Sequence, residues 1–106
     1  MHIPALYMYF QSIVDIIFSI TPFGSNIAGD GYRLVCTVTV TGSTDQPTIT
    51  WLDPTSNTIT SGVVTTGSLS ILTFNPLAVS HAGTYTCRTT LGDEVRTKEV
   101  TVTVQS

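Results

Sequence analysis

Ten consecutive residues, Tyr32 to Thr41, switch strictly between two faces, and a cysteine stands in the middle of the apolar one. Tyr32, Leu34, Cys36, Val38 and Val40 share that side. Arg33, Thr37, Thr39 and Thr41 share the other, with Val35 as its apolar exception. A period of two belongs to a β-strand with one buried and one solvated face. A second cysteine, Cys87, follows after fifty intervening residues, in a segment that also reads as a strand. Neither cysteine has another cysteine or a histidine at metal-ligand spacing, which argues against a zinc site. A long-range pair in a small β-rich domain reads as a disulfide and implies an oxidising compartment. Two free buried thiols in a reducing compartment are the competing reading. Closing a loop of this length would stabilise the fold by about 4 kcal/mol in the chain-entropy account.

The rest of the chain continues in the same manner. Strands are expected near Ile16–Ile20, then at Thr48–Leu52, weakly at Thr58–Thr60, and at Val63–Thr66, Ser68–Phe74, Thr84–Thr90 and Val95–Val104. Pro22 to Gly31, Gly42 to Pro47 and Asp53 to Asn57 hold the turn formers between them. Asn75-Pro76 closes one strand, because proline has no amide hydrogen for the ladder, and Leu77 to Gly83 crosses over. Threonine makes up about a fifth of the chain, and β-branched side chains suit a pleated surface. Short strands at about 8–12-residue spacing, without a helix-period stretch, predict an all-β sandwich or barrel.

With 106 residues there is room for one core and one domain. Residues 1–16 are rich in Ile, Phe, Tyr and Met but carry no Lys or Arg, and Asp15 interrupts them. That pattern fits a secretory signal or a membrane span poorly. The segment reads as a leader, linker or remnant running into a domain at 17–106. The formal net charge is −3, and Arg33, Arg88, Arg96 and Lys98 are the only cationic side chains. Without a clustered basic face, nucleic acid is not an expected partner.

Four residues then recur in a known order. Cys36 lies mid-strand, Trp51 on the inward face of a later strand, and Tyr85 two positions before Cys87. The run Ser80-His81-Ala82-Gly83-Thr84-Tyr85-Thr86-Cys87 resembles the immunoglobulin motif D-x-G-x-Y-x-C. Leu72, Phe74 and Leu77 occupy the apolar positions which that family uses upstream. The resemblance runs from about Phe18 to Val104 and is closest to I-set or C2-type domains. It implies an immunoglobulin-like β-sandwich of two antiparallel sheets with an inter-sheet Cys36–Cys87 disulfide. Trp51, Tyr85, Leu72 and Phe74 would then be core, and the Tyr85 hydroxyl would reach backbone at the preceding corner. His81 departs from the motif's Asp. The Arg or Lys that often pairs with that Asp is missing as well, since neither type occurs between Trp51 and Phe74.

Family members serve in cell-surface receptors and adhesion proteins. The resemblance therefore implies an extracellular domain, on the surface of a membrane protein, that recognises a protein ligand or a neighbouring ectodomain. Thr50, Leu52, Thr86 and Arg88 are the expected binding face, with the end loops Gly42–Gln46 and Gly92–Glu94 as alternative contacts. A passive spacer in a longer ectodomain is the alternative role. Adjacent Ser80 and His81 rarely aim at one point and lack an orienting acid, so no enzyme is expected. Asp93-Glu94 in a turn is too little for a metal site, and no cofactor is expected. The Val95–Val104 strand, at a sheet edge, is expected to allow a weak homodimer.

Overall fold

The computed structural model describes residues 14–106. Most of the expected leader segment, positions 1–13, lies outside the described residues. The strands are β1 (Asp15–Gly24), β2 (Tyr32–Thr41), β3 (Thr48–Leu52), β4 (Thr58–Ile59), β5 (Val63–Thr66), β6 (Leu69–Phe74), β7 (Gly83–Leu91) and β8 (Glu94–Val102). They form two four-stranded sheets, ordered β1-β2-β6-β5 and β4-β3-β7-β8. All strand pairs are antiparallel.

Alternation explains both layers. From β2, Leu34, Cys36 and Val38 point inward; from β6, Leu72 and Phe74 do. The facing sheet contributes Ile49 and Trp51 from β3, Tyr85, Cys87 and Leu91 from β7, and Val102 from β8. Apolar area removed from water at these positions drives the two sheets together.

Several elements differ from expectation, and β4, β6, β7 and β8 are shifted by one or two residues at an end. β1 starts at Asp15, one residue ahead of the expected strand, and Ile16 is buried in the core. β1 also runs through Thr21–Gly24, which the turn formers had suggested was loop. Pro22 is tolerated because β1 is an edge strand. Between Leu77 and Gly83 the chain makes a short 3-10 turn, Val79–His81. The loop after β1 is stitched to the segment that follows β8. The Ala28 amide donates to the Gln105 carbonyl at 2.7 Å, and the Gln105 amide to Asn26 at 2.9 Å.

Candidate binding faces

Two cross-links hold the sandwich rigid. Cys36 of β2 and Cys87 of β7 are bonded, with Cα atoms 6.5 Å apart. Trp51 lies directly opposite Cys87 in the β3–β7 register and is 1% exposed. Its indole Nε1–H donates to Ser70 Oγ at 3.0 Å, across the sandwich to β6. The Ser70 hydroxyl, itself fully buried, also shares a hydrogen bond with Thr65 Oγ1 at 2.8 Å. The indole's one polar group is thus satisfied, as burial demands.

The second fixed point is the corner before β7. The Tyr85 hydroxyl donates to the His81 carbonyl at 2.7 Å. Its ring meets Phe74 edge-on, with centroids 5.3 Å apart. His81 takes over from the motif's carboxylate by a different bond: its Nδ1 accepts the Ala78 amide hydrogen at 2.9 Å. That caps the 3-10 turn, and the imidazole packs 4.9 Å from Phe74. With Nδ1 committed to a backbone amide, His81 is a structural side chain beside Ser80. Gly83 follows in a left-handed conformation (φ 144°), and a Cβ there would come within 2.6 Å of Pro54 Cγ. The glycine of the motif is what lets the Asp53–Asn57 turn close against this corner.

In that turn the Asp53 carboxylate accepts hydrogen bonds from the Asn57 amide and from the Thr55 hydroxyl and amide. The Asn57 bond, then the Thr55 hydroxyl, holds its pKa below the ordinary value. Burial, and secondarily the Asp53 charge, raises the Tyr85 phenol above its usual 10.0. The folded-state value exceeds the unfolded one. The contribution of Tyr85 to stability is therefore whole below pH about 10 and is lost as pH climbs through the raised value. Tyr85→Phe is expected to cost about 1 kcal/mol at neutral pH, from the lost hydrogen bond to His81. It should also flatten the alkaline fall in stability, as measured by urea unfolding between neutral pH and pH 11. An alkaline limb equally steep in both proteins would contradict this.

The rigid frame presents two outer faces of different character. On the β4-β3-β7-β8 sheet the expected face does assemble. Thr50 lies opposite Arg88, and Leu52 opposite Thr86. All four are half-buried, so Leu52 is not a fully exposed apolar group on this expected binding face. Around them Thr48, Thr84, Thr90, Thr97 and Thr101 make this face hydroxyl-rich.

The opposite sheet carries what sequence reasoning missed. Ile17 and Phe23 of β1, Val64 of β5 and Leu69 of β6 are exposed on its outer face, with Val35 and Ile71 half-buried between them. The register sets Val35 beside Ile71 and Ile71 beside Val64 in one row across three strands. Phe23, Tyr32, Arg33, Val35, Thr73 and Asn75 line a cleft of about 470 Å³ at one end of this face. Val35, the apolar exception on the solvated side of β2, was the signal in the sequence that pointed here.

The end loops also meet. Ser43 and Asp45 of one loop and Gly92 and Glu94 of the other line a smaller cleft of about 330 Å³, with Leu91 and Val14. Glu94 is paired with Arg96. Among the described residues, no group of three His, Cys, Asp or Glu side chains is placed to hold a metal ion.

The family model described as "Immunoglobulin domain" matches residues 18–90. No curated protein matches the chain in sequence. Several solved structures share the fold. Titin M10 in its complex with obscurin-like 1 superposes with TM-score 0.63 at 18% identity, covering 81% of this chain and 95% of that one. The titin I-band fragment I67–I69 gives TM-score 0.67 at 21% identity, over 84% of this chain and 32% of that one. The twitchin kinase region of C. elegans gives 0.70 at 20% identity, over 90% of this chain and 17% of that one. A bridged two-sheet sandwich, a tyrosine bonded back across its corner and a family match over most of the strands lead to one assignment: this chain belongs to the immunoglobulin-domain family.

Proposed function

We propose that this domain is an extracellular recognition module of a cell-surface receptor or adhesion protein. Its partner would be another protein, held against the outer face of the β1-β2-β6-β5 sheet. The observation that carries this reading is that Ile17, Phe23, Val64 and Leu69 are all exposed on one sheet face, with Val35, Ile71 and Val64 in one row across three strands. Grouped exposed apolar side chains mark interaction sites, whereas scattered ones do not. Arg33 stands among them as a charged side chain on the cleft wall. The fitting partner therefore presents apolar side chains around a carboxylate. The disulfide supports an oxidising location. The titin M10 neighbour was solved in complex with an obscurin-like 1 immunoglobulin domain, which supports a protein partner in kind.

The test is binding of the oxidised chain to intact cell surfaces, compared with Phe23→Glu and Leu52→Glu. Phe23→Glu is expected to weaken binding by about tenfold or more, the size of a central interface contact. Leu52→Glu should leave it unchanged. The reverse pattern would move the binding face to the β3–β7 strands, and no cell-surface binding by the unaltered domain would remove the recognition role. The passive-spacer reading draws support from the hydroxyl-rich second face, and from the I67–I69 fragment, of which this fold covers 32%.

A further inference from the structure

Among the described residues, four strands end the two sheets: β1, β5, β4 and β8. An edge strand offers unpaired main-chain groups, and folded proteins guard such edges with proline, charge or brevity. Three of these edges are guarded. β4 has two residues. β1 contains Pro22, and its Phe18 carbonyl accepts a hydrogen bond from the Lys98 ammonium at 3.2 Å. β8, where a homodimer was expected, carries Glu94, Arg96, Lys98 and Glu99. β5 is four residues long, but Val63-Val64-Thr65-Thr66 has neither charge nor proline. From Pro54 to Cys87 the chain has no Asp, Glu, Lys or Arg at all.

The main chain of β5 is already set for pairing. The Gly62 carbonyl accepts the Thr73 amide hydrogen at 2.9 Å, and Val64 lies opposite Ile71. Antiparallel ladders alternate, so Gly62, Val64 and Thr66 turn their backbone groups to β6, and Val63 and Thr65 turn theirs to the open edge. The side chains hold this orientation. Thr65 is tied inward to Ser70, while Val64 stands outward and 65% exposed.

We propose that this edge pairs with the same edge of a second copy, antiparallel, about a two-fold axis through Val64. Val63 of each copy then lies opposite Thr65 of the other, in two hydrogen-bonded pairs of two bonds each. The two Val64 side chains meet at the axis as a non-hydrogen-bonded pair, the closer kind. The row Val35–Ile71–Val64 continues without a break into its symmetry copy. A two-fold contact places each residue near its own kind, which the lack of charge on this flank permits without like-charge repulsion. A register centred on Thr65 would draw Gly67, a turn residue at φ 58°, into the ladder; the Val64 register uses strand residues alone. The pairing uses Val64, which also lies on the proposed recognition face, but it is read out as self-association of the isolated chain, so either can fail without the other.

The experiment is sedimentation equilibrium of the full oxidised chain over a concentration series. A monomer–dimer equilibrium is expected. Val64→Lys should lower the association constant by about tenfold or more, while Thr97→Lys, on the outer face of β8, should leave it unchanged. Both positions are exposed, and thermal melts check that both variants fold. The native cysteines are bonded to each other. Val64→Cys is therefore expected to give a covalent dimer on mild oxidation, and Thr66→Cys to stay monomeric. A chain that remains monomeric throughout overturns the proposal. So does a dimer indifferent to Val64→Lys, one that Thr97→Lys dissociates, or cross-linking at position 66 in preference to 64.

Discussion

Opening the Cys36–Cys87 bond is expected to lower the free energy of unfolding by about 4 kcal/mol, on the chain-entropy account of a loop spanning 51 positions. The bond limits how far the unfolded chain can spread, so most of the effect acts through the unfolded state. A domain of this size has about 5–15 kcal/mol in total. The reduced form would keep the fold with little margin. Urea unfolding of the oxidised protein, the reduced protein and the double variant Cys36→Ala/Cys87→Ala measures this. The midpoint should fall by more than about 1 M urea. Coincident curves for oxidised and reduced protein would show that packing alone carries the sandwich.

Trp51→Ala should be equally costly, at about 3–5 kcal/mol. The indole is 1% exposed, lies opposite Cys87 and reaches across to Ser70. Removing it leaves a cavity between the sheets and takes from the buried Ser70 hydroxyl one of its two hydrogen bonds. Trp51→Phe gives an intermediate case. It keeps one six-membered ring and loses the N–H together with part of the buried volume, so its cost should be roughly 2–3 kcal/mol, below that of the Ala variant. Circular-dichroism melts of the two variants provide the comparison. A Phe variant as damaged as the Ala variant would assign the stability to the hydrogen bond and not to the packing.

Where strands lie and which way they face was legible because a pleated strand writes its burial into every second residue. β2, β3 and β5 fall at their expected limits. The sequence places the first strand only at Ile16–Ile20, because Pro22 and Gly24 are turn formers in isolation. Its pairing with β2 along ten positions overrides that local preference. The role of His81 was not legible. A motif position normally filled by a carboxylate gave no hint that an imidazole would accept the Ala78 amide hydrogen and cap the same turn.

The candidate site was legible only in part. That Thr50, Leu52, Thr86 and Arg88 share a face follows from strand parity, and the register sets Thr50 opposite Arg88 and Leu52 opposite Thr86. How exposed Leu52 is does not follow from parity, because neighbouring strands shade it.

The sequence by itself determined the β-class, the inward set around Cys36, Trp51, Tyr85 and Cys87, and the family, because these are periodic or closely spaced along one chain. Only the tertiary structure decided that Phe23, Val35, Ile71 and Val64 share one surface and that β5 is the unguarded edge. Both depend on lateral strand order and register, and residues far apart in sequence become neighbours only once those are fixed.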